Sequence, residues 1–157
     1  MKCVWQYDTP IGRITLAEED GKITNLSFPK EEILTEAKLE ETQTLKLAAM
    51  QLIEYFSGIR QVFDMPLAPL GTPFQQTVWK ALLQIPYGET ISYGKLANSI
   101  GRPGAARAVG LANNRNPIPL IIPCHRVIGA NGKLVGYGGG LPIKEQLLEL
   151  ERKNKIP

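Results

Sequence analysis

A thiol, an imidazole and a guanidinium follow one another at Cys124, His125 and Arg126, directly after Pro123. A cysteine attacks as its thiolate, and a neighbouring base or cation raises the thiolate fraction, so this triplet marks the chain's place for nucleophilic chemistry. His125 is the only histidine, and Cys124 is the only cysteine in the second half of the chain. Side chains of adjacent residues diverge, so the imidazole would take the thiol proton through a bridging water. Glu145, at the start of the last helix, is the candidate acid to fix the imidazole tautomer in a Cys-His-Glu relay. Each residue also has a plainer use. A lone cysteine fills a core, a carboxylate early in a helix caps it or sits on the surface, Tyr93 packs, and Asn116 before Pro117 makes a turn. No metal is expected, because Cys3, Cys124 and His125 show no C-x-x-C or H-x-x-x-H spacing. The run Gly136-Tyr137-Gly138-Gly139-Gly140 fits neither G-x-x-x-x-G-K-S/T nor G-x-G-x-x-G, so a nucleotide cofactor is not expected either.

The elements that must hold these groups fall into two blocks. Residues 3–7, 13–17 and 23–28 alternate as strands, with turns at 9–12 and at Asp20-Gly21. A helix is expected over 35–57, where Leu45, Ala49, Leu52 and Phe56 recur at three- and four-residue spacing before Gly58. Pro66, Pro69, Gly71 and Pro73 then mark a boundary, giving an N-terminal α/β support domain over 1–70 and a second domain over 71–157. In the second, Thr72 caps a helix with Pro73 at its first position, and Phe74, Val78, Ala81 and Leu82 form its apolar stripe. Ser92 caps a short helix over 93–99, and a Gly-Arg-Pro-Gly turn leads to a helix over 105–113, rich in small residues with Arg107 among them. That pair is a helix-turn-helix candidate, with a close-packed helical hairpin as the alternative. A last helix spans 142–152. The fold class is α+β: a small N-terminal sheet-plus-helix domain, then a mainly helical C-terminal domain carrying the helix-turn-helix and the reactive cysteine.

Charge divides at the same boundary. Residues 1–70 hold seven Lys/Arg against eleven Asp/Glu, a net of −4, and residues 71–157 hold eleven against four, a net of +7. A basic half suits a phosphate-bearing partner, and Arg102, Arg107, Arg115 and Arg126 are its candidate contacts. No window approaches the roughly 18 apolar residues of a membrane span, and no signal-peptide pattern opens the chain. A cytoplasmic protein, or a nuclear one in a nucleated cell, is the expectation.

The block Ile121-Ile122-Pro123-Cys124-His125-Arg126-Val127 resembles the active-site signature of the O6-alkylguanine-DNA alkyltransferases, the methylated-DNA–protein-cysteine methyltransferases. The resemblance extends, in the family's order, through Phe74-Gln75-Gln76-Thr77-Val78-Trp79 and Ile85-Pro86-Tyr87-Gly88-Glu89-Thr90-Ile91-Ser92-Tyr93. It continues through Ala105-Ala106-Arg107-Ala108-Val109-Gly110, Asn116-Pro117-Ile118-Pro119 and Tyr137-Gly138-Gly139-Gly140-Leu141. It covers essentially the whole basic half.

The resemblance implies single-turnover repair of O6-alkylguanine in double-stranded DNA by a monomer, with base flipping and without cofactor or obligate protein partner. Cys124 would accept the alkyl group, His125 would deprotonate it through a water, and Glu145 would bond the histidine. Tyr93 would crowd the target phosphate and donate toward guanine N3. Arg107 would fill the space left by the flipped nucleotide, on a helix whose Ala105 and Ala106 allow close approach, with Arg102 and Arg115 as further DNA contacts. Asn116 would tie the active-site segment to the helix-turn-helix. Main-chain carbonyls at Cys124 and Val127 would accept from the guanine amino group, and Pro119, Tyr137 and Gly138 would complete the base pocket. Gly138 stands where the vertebrate pattern has serine, which implies more room around the alkyl group. Non-transferring sensors of alkylated DNA, thiol hydrolases using the same Cys-His-Glu logic and sequence-specific helix-turn-helix regulators are the competing classes.

Overall fold

The computed structural model describes residues 1–29, 36–132, 134, 137 and 139–155. Two compact units divide the chain, Met1–Leu70 and Gly71–Pro157.

The first unit is a four-stranded sheet with one helix. Strands β1 (Cys3–Thr9), β2 (Gly12–Glu19) and β3 (Lys22–Ser27) run antiparallel, and β4 (Lys38–Leu39) joins the other edge of β1 in parallel, giving the order β3-β2-β1-β4. The β2–β3 hairpin turns on Asp20 and Gly21 alone, at φ 53° and 80°. Such primed turns match strand twist and suit an Asp-Gly pair. Beyond β3, Ile23 N–H donates to the Pro66 carbonyl at 3.0 Å and Ala68 N–H to the Ile23 carbonyl at 2.8 Å, so the chain itself covers that edge. Helix α1 (Gln43–Phe56) packs on β1, β2 and β3, burying Leu45, Leu52 and Tyr55 against Ile14, Leu16 and Ile23.

The helix expected from residue 35 begins only at Gln43. Thr35 lies outside the described residues. Lys38 and Leu39 pair with Cys3 and Val4 as strand, and the Thr42 hydroxyl caps α1 by accepting from Leu45 N–H at 3.3 Å. A strand edge in need of a partner thus overrides the helical pattern upstream of the cap.

The second unit holds α2 (Pro73–Leu82), α3 (Tyr93–Ser99), α4 (Ala106–Asn114) and α5 (Leu141–Asn154), with a two-stranded parallel ladder of β5 (Ile91–Ser92) and β6 (Val127–Ile128). A full capping box starts α2. Thr72 Oγ1 accepts from Gln75 N–H at 3.1 Å, and Gln75 Oε1 accepts from Thr72 N–H at 2.9 Å. Trp79 on α2 is buried and donates its indole N–H to the Ala112 carbonyl on α4 at 2.9 Å. Gly71 is required beside it, since a Cβ there would lie 2.3 Å from the Trp79 ring. Helices α3 and α4 pack on each other through a turn in which Gly101 and Gly104 adopt φ 73° and 93°, completing the helix-turn-helix. The β5–β6 ladder pairs Ile91 with Val127 and Ser92 with Ile128. It therefore sets the start of α3 beside the chain that leaves Cys124.

Candidate active site

The segment before Cys124 is bent twice within seven residues. Ile121 N–H donates to the Pro119 carbonyl at 2.9 Å across Leu120, whose φ is +74°. This is a γ-turn of the rare, strained kind. Cys124 N–H donates to the Ile122 carbonyl at 2.7 Å across Pro123, at φ −78° and ψ 64°, the relaxed inverse γ-turn that a proline ring favours. Asn116 binds both ends of the loop. Its Nδ2 donates to the Ile122 carbonyl at 2.8 Å, and its Oδ1 accepts from Ile118 N–H at 2.9 Å. Ile118, Leu120 and Ile122 are buried, so apolar packing compensates the strain at Leu120. A single 3-10 turn, Cys124–Arg126, follows, with all three side chains buried.

Burial pushes the Cys124 thiol up to about 11, against the opposing pull of the Asn116 side chain, the Lys144 charge and the Leu120 amide. The thiol is therefore protonated at neutral pH, and its reactivity depends on a base. His125 is fully buried, with Nε2 2.6 Å from Glu151 Oε2. Burial holds the imidazole below its ordinary value despite the carboxylate, so it is neutral at pH 7. Burial alone would raise Glu151, but the hydrogen bonds from His125 and Arg126 and the Arg126 charge win and keep it ionised. An ionised acceptor at Nε2 fixes the proton there and leaves Nδ1 as the lone pair. Nδ1 is buried without a hydrogen-bond partner among the described residues.

Glu151 does more than orient the histidine. Arg126 donates to it through Nε at 2.8 Å and Nη2 at 3.0 Å, and Gly88 N–H adds a bond at 3.1 Å. Arg126 also donates through Nη1 to the Ile85 carbonyl at 2.7 Å and lies over the Tyr87 ring at 5.7 Å. Arg126 is thus an interior residue committed to the fold, not a phosphate contact.

The expected relay acid is corrected accordingly. Glu145 is exposed on α5, and Glu151, almost two turns further on, meets the histidine. Lys144, Leu147 and Glu151 are the buried residues of α5. Their spacing of three and four puts them on one stripe, while Glu145 sits about 100° round from Lys144. Lys144 is a second group that the sequence reading passed over. It has no exposure, and its Nζ donates to the Val127 carbonyl at 2.6 Å. Burial lowers its pKa, opposed by the charge of Cys124. A lysine and a glutamate inside the apolar stripe of the last helix were the available signal for both.

Tyr93, the first residue of α3, is half-buried and close enough to Cys124 to feel its charge; burial first, then that charge, raises its phenol, with Asn113 opposing. On α4, Arg107 is exposed, Ala106 is half-buried, Ala105 is the half-buried residue before the helix, and Arg115 is exposed just after it. Arg102 is exposed over the Phe74 ring at 5.8 Å. Pro119 and Val127 are buried and Tyr137 is half-buried. Gly138 lies outside the described residues, so the expectation about room around the alkyl group stays with the sequence.

A buried thiol, a neutral imidazole with one proton fixed, an exposed arginine on a helix-turn-helix and a basic unit around them form one arrangement. Two family models match in succession: the 6-O-methylguanine DNA methyltransferase ribonuclease-like domain over residues 5–69 and the 6-O-methylguanine DNA methyltransferase DNA binding domain over residues 73–153. The chain belongs to this methyltransferase family.

Among its relatives, the methylated-DNA–protein-cysteine methyltransferase of Methanosarcina acetivorans is 55% identical over 148 residues, 92% of this chain and 95% of that one. The protein of the same description from Mycobacterium tuberculosis is 54% identical over 158 residues, 96% and 92% of the two chains. The crystal structure of Mycobacterium tuberculosis OGT in complex with DNA superposes with a TM-score of 0.92 at 53% identity, covering 97% of this chain and 94% of that one.

Proposed function

We propose that the protein repairs O6-alkylguanine in DNA by moving the alkyl group onto Cys124 in one irreversible step. The observation that carries this is a buried cysteine beside a neutral imidazole whose Nε2 proton is fixed by Glu151, in a member of the 6-O-methylguanine DNA methyltransferase family. The Cys124 proton passes through a water to His125 Nδ1, the sulfur attacks the saturated carbon on O6 in line, and the C–O6 bond breaks with its electron pair going to the guanine. The imidazolium so formed lies against ionised Glu151, which stabilises it as it appears. Lys144 adds positive charge near the developing thiolate. Tyr93, kept protonated by burial, donates toward the departing base. The thioether has no hydrolysable bond, so each molecule acts once.

An alkylated base inside a duplex cannot reach a buried sulfur, so the nucleotide is flipped out of the stack. Arg107 on α4 fills the space that it leaves, and Asn116 keeps the reactive segment in register with the helix-turn-helix. The N-terminus of α4 has no side-chain cap and no acidic residue in its first turn, which suits it to phosphate, with Arg102 and Arg115 as further contacts. The protein works as a monomer in the cytoplasm, or in the nucleus of a nucleated cell, and takes no cofactor.

Incubation with a duplex containing O6-methylguanine, followed by mass spectrometry, tests the reading. It requires a gain of one methyl group on Cys124 that is lost in Cys124→Ala. Lesion binding without a mass gain points to a sensor, and repeated ester or amide cleavage points to a thiol hydrolase.

A further inference from the structure

Asn113, on α4, is 1% exposed. Its Nδ2 lies 3.4 Å from the carbonyl oxygen of Cys124, and the same side chain is near enough to Tyr93 to draw its phenol down against the pull of burial. Turning the amide over would set its oxygen against the Cys124 carbonyl oxygen, so the amino end belongs there. The other end, Oδ1, is buried and has no hydrogen-bond partner among the described residues. A buried acceptor left unpaired costs more than an ordinary hydrogen bond contributes, and a leucine of similar size would avoid that cost. The acceptor stands beside the two groups that the transfer reaction uses, the thiol residue and Tyr93.

We propose that Asn113 is a specificity-determining residue whose Oδ1 accepts a hydrogen bond from the 2-amino group of the flipped O6-alkylguanine, while its Nδ2 holds Tyr93 and the Cys124 backbone in register. This rests on the reading that the flipped base reaches Cys124. Alkylation at O6 removes the hydrogen from N1, which leaves the 2-amino group as the only N–H donor on the base's pairing edge. The two carbonyls expected to receive that group already have donors, Asn113 Nδ2 on Cys124 and Lys144 Nζ on Val127. Each keeps a lone pair, and an amino group has two hydrogens, so one carbonyl and Asn113 Oδ1 together satisfy it. A site that hydrogen-bonds an N–H rejects the analogue without it, because the acceptor is then left unpaired. An O4-alkylated thymine, which has no N–H on that edge, is disfavoured for the same reason.

The full-length protein is tested with two duplexes, one with O6-methylguanine and one with O6-methylhypoxanthine, which differs only by lacking the 2-amino group. Second-order rates of methyl transfer to Cys124 are measured for the wild type, Asn113→Leu and Asn113→Ala, with a melting curve for each. The wild type prefers the guanine lesion, and in the variants that preference shrinks by about fivefold, the value of one neutral hydrogen bond. A purely structural role would lower both rates together and leave the ratio unchanged, and that result in a folded variant overturns the proposal. So does a wild-type ratio near one, which needs no variant to fold. Absence of methyl transfer from the O6-methylguanine duplex in the wild type would instead sink the repair reading itself.

Discussion

At Glu151 one carboxylate closes a proton relay and neutralises a buried guanidinium, with bonds from His125, Arg126 and Gly88. The pH dependence of transfer follows from the groups on either side. His125 sits below its ordinary value, so the base form prevails at neutral pH and is lost only as pH falls through that lowered value. The thiol, at about 11, releases its proton unaided only in strong alkali. The wild-type rate is therefore level from neutral to mildly alkaline pH and drops in acid. In His125→Leu the relay is gone, so the rate at pH 7 falls by about a hundredfold. It then climbs by roughly tenfold per pH unit as free thiolate accumulates. Stopped reactions at several pH values, read as methyl on Cys124, check both limbs, and Glu145→Gln should follow the wild type throughout. Cys124 and His125 were legible because adjacent rare residues announce themselves. Glu151 was not, because the choice between it and Glu145 depends on which face α5 turns inward, and that follows from Lys144 and Leu147 rather than from either acid.

Element starts were legible where side chains close hydrogen bonds locally. Thr72, Pro73 and Gln75 spell out the beginning of α2, and Ser92 does the same for α3, its hydroxyl accepting from Lys95 N–H at 3.1 Å. The α2 cap carries weight because Trp79, one face of that helix, bonds α4 behind the active segment. Thr72→Ala is expected to lower stability by about 1 kcal/mol, read as a shift in the urea midpoint with an unchanged slope. An unaltered midpoint would mean that Trp79 and its neighbours hold the helix without the cap. Where pairing is non-local the sequence was mute. Residues 38–39 carry no pattern that announces a parallel partner in β1, and α1 therefore starts later than its apolar spacing suggests. Nor does a leucine announce a left-handed backbone. The turn at Leu120 exists because Asn116, the bond from Ile122 N–H to the Ile118 carbonyl and burial on all sides over-determine it.

The molecule as a whole divides its charge as it divides its fold, with an acidic sheet-and-helix unit and a basic helical unit. The chemistry was readable in the second, and in the first Cys3 is half-buried on β1 and stands in no metal-binding group among the described residues. The double bend ahead of Cys124 bears on what happens after the event. Enzymes that turn over must free their nucleophile after each cycle, whereas a protein that releases the restored DNA but keeps the alkyl group on sulfur never has to, so its nucleophile can be set in the stiffest stretch of chain. The added methyl sits on a sulfur that is 5% exposed and bonded by the Asn116 side chain and the Leu120 backbone, and overfilling a packed interior costs about 1–3 kcal/mol. Used molecules should melt a few degrees below unused ones, a difference that calorimetry on the two forms would reveal and that coincident curves would exclude. Rigidity that aims the sulfur before reaction becomes, once the group has arrived, a record of use written into the stability of the molecule.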